Sequence, residues 1–347
     1  MKDETKSVIK VASVYSGIIT GAGFASGQEL FKFFASYDWL GVFGFILSGV
    51  ILAVSGWAVM DICVVNSIKD YNTFIKFVLG KKLGNIIDFA ISIFIFVLFC
   101  AMLSGAGALG VQAFSVSFGI GVVFLAAVCF VALNFDLKAI IRINVVLVPL
   151  MIAGGMFFGI YTMIVDYQPV FLGTVKSGFV WSGVVYASYN VITSVSVLSS
   201  MGGIVVTNRR IAKRAGLLGG LCMSLLGLSF VVPLIINFDF ASVLELPMLG
   251  LAERHGGTIE LIYIIILIAA ILTTALSNAF AVVEWIRNKT GVKKIWVNIA
   301  VCTVGIAAAH IGFSSIVGKV YPLFGYIGLF ELVAVIICFL SGTKRKN

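Results

Sequence analysis

The sequence predicts an all-α integral membrane protein of about ten transmembrane helices, and three observations carry that prediction. Hydrophobic residues make up 61% of the 347 positions and charged residues 11%, with a mean hydropathy of +1.13, about half the charge of a soluble domain. Apolar runs long enough to cross a hydrocarbon core, roughly 20 residues at 1.5 Å rise each, recur near 8–35, 39–64, 84–112, 117–135, 139–165, 178–200, 213–237, 258–286, 295–314 and 318–340. The cations sort to one side. With the N-terminus placed in the cytoplasm, twenty Lys and Arg fall in inner segments, and only Lys32, Lys176, Arg254 and Lys319 fall outside, the asymmetry that orients membrane proteins. The net charge of +9 therefore reads as membrane orientation and not as a nucleic-acid footprint, and both termini are expected to be cytoplasmic.

The connections are short, so no soluble nucleotide-binding or catalytic domain fits between the spans. Residues 1–347 read as a single transmembrane domain in the cell membrane. The charged start followed by Gly21-Ala22-Gly23-Phe24-Ala25-Ser26 has the outline of a signal peptide, but removing it would leave nine spans and break the charge pattern. Asn288-Lys289-Thr290 is formally a glycosylation sequon in an inner loop. The six cysteines stand singly in apolar runs, as packing residues do.

The spans divide into two blocks of five, about 8–165 and 178–340. Repeats with an odd number of crossings enter the membrane from opposite sides, which is the inverted five-plus-five arrangement of many secondary transporters. The first span of each block has an unusual centre. Span one places Gly17, Gly21, Gly23, Gly27, Gln28 and Glu29 where a lipid-facing helix would be uniformly apolar. Glycine tolerates non-helical dihedrals and costs about 1 kcal/mol in a helix interior, so Gly21-Ala22-Gly23 is the expected place of unwinding. Close helix packing through small residues four apart is the other reading. Span six carries Tyr186-Ala187-Ser188-Tyr189-Asn190 at the matching place and is expected to break there; a polar stripe at a helix contact is again the alternative.

Broken helices at membrane depth must face protein or water. If span one unwinds at Gly21 to Gly23, free N–H groups on Gly23, Phe24 and Ala25 would form a carboxylate cradle, and free carbonyls near Thr20, Val185 and Tyr186 would suit an ammonium group or bare cation. That pairing describes a zwitterion such as an amino acid, with Gly21, Ala22, Gly23, Phe24, Ala25, Tyr186, Tyr189 and Asn190 as binding residues. Ser104-Gly105-Ala106-Gly107 of span three either shapes the pocket or simply packs.

At these residues the chain resembles the amino acid/polyamine/organocation superfamily, with its LeuT-like five-plus-five inverted repeat. Thr20-Gly-Ala-Gly-Phe-Ala-Ser-Gly-Gln-Glu29 is similar to the YkvI-type family of bacterial permeases. The resemblance covers nearly the full length. It implies a ten-helix transporter that binds substrate and a coupling ion where helices one and six unwind. In sodium-coupled relatives a cation sits between helix-one carbonyls and an Ala-x-x-Thr/Ser-Thr/Ser pattern on helix eight; the matching positions here are Gly17, Thr20, Ala270, Thr273 and Thr274. A Thr-Thr pair in a membrane helix also commonly bonds its own carbonyls. Some proton-coupled relatives carry a lysine on helix five, and span five has only Arg142 at its inner end, which favours sodium.

Two carboxylates keep a proton mechanism open, because intramembrane acids are costly and functional by default. Glu29 either gates the outer vestibule or pairs with Lys32 one turn on. Glu331 in span ten is either a protonated structural residue or a proton site. Asp61, Asp88 and Glu284 lie near helix ends, solvated or paired. Neither His255 nor His310 has metal-ligand spacing, and Gly312 to Val320 misses the phosphate-loop pattern. The expectation is a cation-coupled amino acid symporter, not an enzyme, with sodium as coupling ion, no other cofactor and no nucleic-acid partner. A proton-coupled permease and a ligand-sensing receptor on the same fold, as in spore germinant receptors, are the alternatives.

Overall fold

The computed structural model describes residues 2–134, 152–166, 177–203 and 205–342. The expectations for Lys138, Arg142, Lys176 and Lys344 to Lys346, and the first part of span five, lie outside these residues. The described chain is helical, and its one β feature is an isolated bridge between Gly202 and Val206.

Span one is built from three pieces, α1 (Lys2–Ile19), α2 (Ala22–Ala25) and α3 (Gln28–Phe33). The remaining runs are occupied by α4 (Trp39–Asn66), α5 (Tyr71–Phe114), α6 (Phe118–Ala132), α7 (Ile152–Val165), α8 (Phe179–Met201) and α9 (Arg209–Ile236) in turn. The short α10 (Phe238–Ser242) and α11 (Pro247–Arg254) follow, then α12 (Gly257–Thr290), α13 (Lys294–Ala309), α14 (Phe313–Ser315) and α15 (Tyr321–Leu340). Among the described residues, six segments are each long and apolar enough to cross a membrane: α4, α5, α8, α9, α12 and Phe313–Leu340. α5 starts well before the expected residue 84 because its first turns lie outside the apolar run. Asp70 caps it, accepting from the Thr73 N–H at 2.8 Å and the Thr73 hydroxyl at 2.8 Å, and these bonds hold the Asp70 carboxyl below its usual range. The chain bends at Gly80 (φ 77°) just before Lys81 and Lys82.

Two packing groups result. In one, α4 lies against α8 and α9, and α1 against both. In the other, α5 lies against α6, α12 and α13. α15 bridges them, touching α8, α4 and α5. Small residues set the tightest crossings: a Cβ on Gly183 would fall on the Gly44 carbonyl, and one on Gly328 on the Ser188 carbonyl. α8 is thereby clamped from both sides.

That clamp corrects one expectation. α8 runs unbroken from Phe179 to Met201, straight through Tyr186 to Asn190. Its polar side chains turn back onto their own helix. Ser188 donates to Val184 O at 2.7 Å, Asn190 to Tyr186 O at 2.9 Å, and Ser194 to Asn190 O at 2.8 Å. The hydroxyls and amide that suggested a break are satisfied without one. The Val185 and Tyr186 carbonyls are therefore held inside a regular helix and are not free for a cation.

The carboxylates at helix ends are paired. Buried Asp61 accepts from Arg209 Nε at 2.8 Å and Nη2 at 2.9 Å, Glu4 accepts from Asn208 at 3.1 Å, and Glu284 from Arg287 at 2.6 Å. Asp88 lies 4.0 Å from Lys289. At the opposite end of α9, Asp166 accepts from Asn237 at 3.1 Å and lies 3.4 Å from His255, while Arg254 donates to Asn237 at 3.0 Å. There α10 and α11 form a structured hairpin where the sequence suggested only a connection, with Met248, Leu249, Leu251 and Ala252 fully buried.

Gly183→Val should separate α8 from α4. Overpacking of this kind costs about 1–3 kcal/mol, so the variant should melt at lower temperature in lipid nanodiscs, whereas a change of exposed Val180 to Ala should not lower it.

Candidate functional site

The break in span one begins where Gly21 N–H turns back to Ile19 O at 3.0 Å. A regular helix would send that N–H to Gly17 O, so the Gly17 carbonyl loses its usual partner. Thr20 still donates its N–H to Ser16 O at 3.1 Å, and its hydroxyl donates to the same oxygen at 3.0 Å. Gly21 is extended (φ −79°, ψ −170°), and α2 is a single turn closed by Ala25 N–H to Gly21 O at 2.9 Å and Ser26 N–H to Ala22 O at 2.8 Å. Gly27 (φ 79°) then reverses the backbone into α3, a conformation that only glycine adopts without strain.

Neighbouring elements take up the loosened backbone. Ser26 donates its hydroxyl to Gly23 O at 2.8 Å and accepts the Gln28 N–H at 3.2 Å. Tyr263 of α12 donates to Ala25 O at 2.6 Å, and Met248 N–H of α11 donates to Ser26 O at 3.0 Å. Ser182 of α8 donates to Phe33 O at 2.6 Å at the end of α3. Each of these would otherwise be an unpaired polar group inside the membrane, costing several kcal/mol.

The expected carboxylate cradle is altered in two respects. Ala25 N–H is committed to Gly21 O, which removes it from the set of free donors. The space beside Gly23 is held by the protein's own acid, since a Cβ there would fall on the Glu29 carboxyl group. Phe24 packs edge-on against Phe230, ring centres 5.3 Å apart.

Glu29 is buried, 6% exposed, and its partner is not Lys32. Tyr189 of α8 donates its hydroxyl to Glu29 Oε2 at 2.7 Å, while the Lys32 ammonium lies over the Phe31 ring and its chain beside Gly318. Tyr186 and Tyr321 also lie within electrostatic reach of Glu29. The rings of Tyr186 and Tyr321 stand 5.3 and 5.4 Å from that of Tyr189, with Phe33 at 5.6 Å and Phe94 at 6.1 Å. The Tyr321 hydroxyl is buried without a hydrogen-bond partner; the Tyr186 hydroxyl, near Tyr189 and Asn190, makes no well-aligned bond.

On the other side of the break, Thr274 of α12 faces Gly21, its Oγ1 3.6 Å from where a Gly21 Cβ would stand. Thr273 donates to Ala269 O at 2.8 Å and Ala270 O at 3.2 Å, leaving its lone pairs as acceptors. The structure thus joins Gly21 with Thr274, and Gly23 with Glu29, Tyr186 and Tyr189. It does not bring in Asn190, which bonds its own helix, or Glu331. Glu331 is fully buried on α15, with neither oxygen partnered and Tyr71 within electrostatic reach. Gly107 and Ala106 pack against Phe118 and Gly121, so that half of the span-three stretch is packing; the Ser104 hydroxyl is buried and unpartnered. His310 bonds Ile306 O at 2.9 Å within its helix turn.

Sequence reasoning missed Tyr321, Tyr263, Phe94 and the α10–α11 hairpin. Tyr321 sits at the start of an apolar run, where a tyrosine ordinarily marks the membrane interface, but here it follows the π-helical turn Ile316–Val320 and is buried.

No known family profile matches the sequence. The chain is similar to YkvI, an uncharacterized membrane protein of Bacillus subtilis (strain 168), at 26% identity over 357 residues and the full length of both chains. It is also similar to YyaD of the same organism, at 22% identity over 92% of this chain and 94% of that protein. Among solved structures it matches Mhp1 in an inward-facing conformation (TM-score 0.64, 11% identity, 96% of this chain and 76% of that one). It matches Mhp1, a nucleobase-cation-symport-1 family transporter, in a closed conformation with bromovinylhydantoin bound (TM-score 0.62, 15% identity, 97% and 79%). It also matches an Eremococcus coleocola manganese transporter (TM-score 0.59, 13% identity, 94% and 78%). The fold is that of these multi-pass membrane transporters.

Gly23→Ala should force Glu29 out of its bond with Tyr189. Losing a charge-assisted hydrogen bond costs about 1.5–3 kcal/mol, so the variant should unfold at a lower temperature in nanodiscs, and Glu29→Gln should reduce the penalty of the added methyl.

Proposed function

We propose that the chain is a secondary active transporter that moves an amino acid or similar small zwitterion by alternating access, with sodium as coupling ion. The observation that carries this reading is the interrupted first helix, in which the Gly17 carbonyl loses its helical partner and the extended Gly21 lies against Thr274 of α12. Sodium takes hard oxygen donors, and helix-end carbonyls with threonine hydroxyls supply them at membrane depth. Gly17, Thr20, Ala270, Thr273 and Thr274 are the proposed ion ligands.

The packing supports a ten-helix inverted repeat. The opening helices of the two halves, α1 and α4 with α8 and α9, share one group; α5 and α6 with α12 and α13 share the other. Cytoplasmic termini go with this arrangement: the ion pair of buried Asp61 with exposed Arg209 and the Glu4–Asn208 bond gather α1, α4 and α9 at the basic end. The solute site lies between Gly21–Ala25 and the Tyr186–Tyr189 face of α8. A manganese-like cargo is less well supported, because among the described residues no three His, Cys, Asp or Glu side chains come together. Proton coupling is the second reading, favoured by the burial of Glu29 with Tyr189 as its hydrogen-bond donor.

Proteoliposomes loaded with the full-length protein should accumulate a labelled amino-bearing solute when an inward sodium gradient is imposed. Thr274→Ala should remove the sodium dependence and any sodium-induced rise in melting temperature. Accumulation driven by a proton gradient alone would replace sodium by Glu29, and binding without accumulation would make the protein a receptor.

A further inference from the structure

At the end of α12 the cations are answered by the protein itself. Arg287 and Lys289 lie in its last turn, the negative end of the helix dipole, with Glu284 2.6 Å from Arg287 and Asp88 4.0 Å from Lys289. The start of α9 is built the other way. Arg209, Arg210, Lys213 and Arg214 crowd its first turns, with no acid in the first turn, at the end where the dipole is itself positive. Arg209 and Lys213, like Arg210 and Arg214, stand four residues apart, the spacing at which like charges repel. Asp61 answers Arg209, and Glu4 is bonded to Asn208. Arg210, Lys213 and Arg214 are exposed and take no part in the ion pairs among the described residues.

A second observation lies beside these cations. The Lys213 ammonium stands 5.0 Å from the centre of the Trp57 ring on α4, and that ring packs edge-on against Phe339 of α15 at 5.0 Å. Tryptophan and lysine side by side are typical of a membrane–water boundary. Farther into the membrane α4 and α9 touch backbone to backbone: a Cβ on Gly216 would fall on the Trp57 main chain, and one on Gly220 on Ala53. The outward side chains of these two helices are apolar there, Leu217 and Leu221 on α9 and Ile46 and Val50 on α4, each at least 41% exposed.

We infer that the start of α9 is the headgroup site for an anionic phospholipid of the surrounding bilayer, its phosphate held by Arg210, Lys213 and Arg214 and one acyl chain laid along the α4–α9 seam. An anion at this place relieves the repulsion among the cations and complements the helix start. A soluble anion does only that, whereas a lipid also covers the exposed leucines with its chain. Charge complementarity selects the headgroup: a zwitterionic lipid brings its own ammonium to the three cations, and phosphatidylglycerol brings net negative charge. The bound lipid would brace the helix group that carries the interrupted segment, because α1 meets α9 where Ser16 donates to Gly219 O at 3.1 Å. Lipid binding of this kind depends on neither the solute nor the coupling ion.

Full-length protein in nanodiscs of phosphatidylcholine, with and without phosphatidylglycerol, provides the test. Phosphatidylglycerol should raise the melting temperature. A fluorescent phosphatidylglycerol should bind about 100-fold more weakly to the Arg210→Gln/Lys213→Gln/Arg214→Gln variant, the loss expected for three cations at an anionic membrane surface. The same change to Gln at Lys289, Lys293 and Lys294 should leave binding nearly unchanged. Bromine-labelled acyl chains give a reading that needs no charge variant: brominated phosphatidylglycerol should quench the Trp57 fluorescence, identified by its loss in Trp57→Phe, more than brominated phosphatidylcholine does. Equal stabilisation and equal quenching by the two lipids would overturn the site. Unchanged binding in the α9 variant would do the same, as would equal losses in both triple variants, the mark of diffuse attraction to a charged surface. Inorganic phosphate that reproduces the stabilisation in phosphatidylcholine alone would also overturn it, leaving an anion site without a lipid.

Discussion

An interrupted helix inside a bilayer must find substitutes for the hydrogen bonds it gives up, and the rest of this structure is arranged around that requirement. The break at Ile19 to Gly21 and the reversal at Gly27 release backbone groups that the lipid cannot satisfy. They are met by Tyr263 from α12, by the Met248 N–H from the α10–α11 hairpin and by the Ser26 hydroxyl within the turn itself. The carboxylate that follows the break is met by Tyr189 from α8. Each partner comes from a different part of the chain, so the broken segment is the point at which both packing groups and the hairpin converge.

This convergence has a mechanical meaning. Tyr263 and Thr274 belong to the group around α5, whereas Tyr189 belongs to the group around α4. The short α2–α3 segment is therefore bonded to both. A solute that competes for Glu29, or an ion that gathers Gly17 and Thr274, would act on the junction between the groups and not on either alone. The glycine crossings at Gly44–Gly183 and Gly328–Ser188 keep α8 rigid beside it, which suits a helix that presents aromatic walls better than one that must unwind.

The membrane architecture and the first-helix break were legible in the sequence for simple reasons. Apolar length is a property of contiguous residues, and four glycines beside Gln28 and Glu29 do not suit a continuous lipid-facing helix. The second break was misread, because Ser188, Asn190 and Ser194 look the same in sequence whether they line a gap or bond to their own helix; the difference lies in rotamers that packing against α4 and α15 selects. The partner of Glu29 was equally hidden. Local spacing pointed to Lys32 one turn away, but burial separated the two: the flexible cation snorkels past Phe31 while the short acid stays inside, 160 residues in sequence from Tyr189. Tyr321 and the α10–α11 hairpin depend on how distant segments fold back, and no periodicity reports that.

Glu29 on the interrupted helix and Tyr189 on the continuous one should therefore behave as a single energetic unit at membrane depth. A double-mutant cycle of Glu29→Gln and Tyr189→Phe, read as unfolding free energy in nanodiscs, measures this. The expected coupling is about 1.5–3 kcal/mol, the range of a hydrogen bond to a charged group in a buried site. Additive losses, with a coupling indistinguishable from zero, would show that the two helices are not joined through this bond.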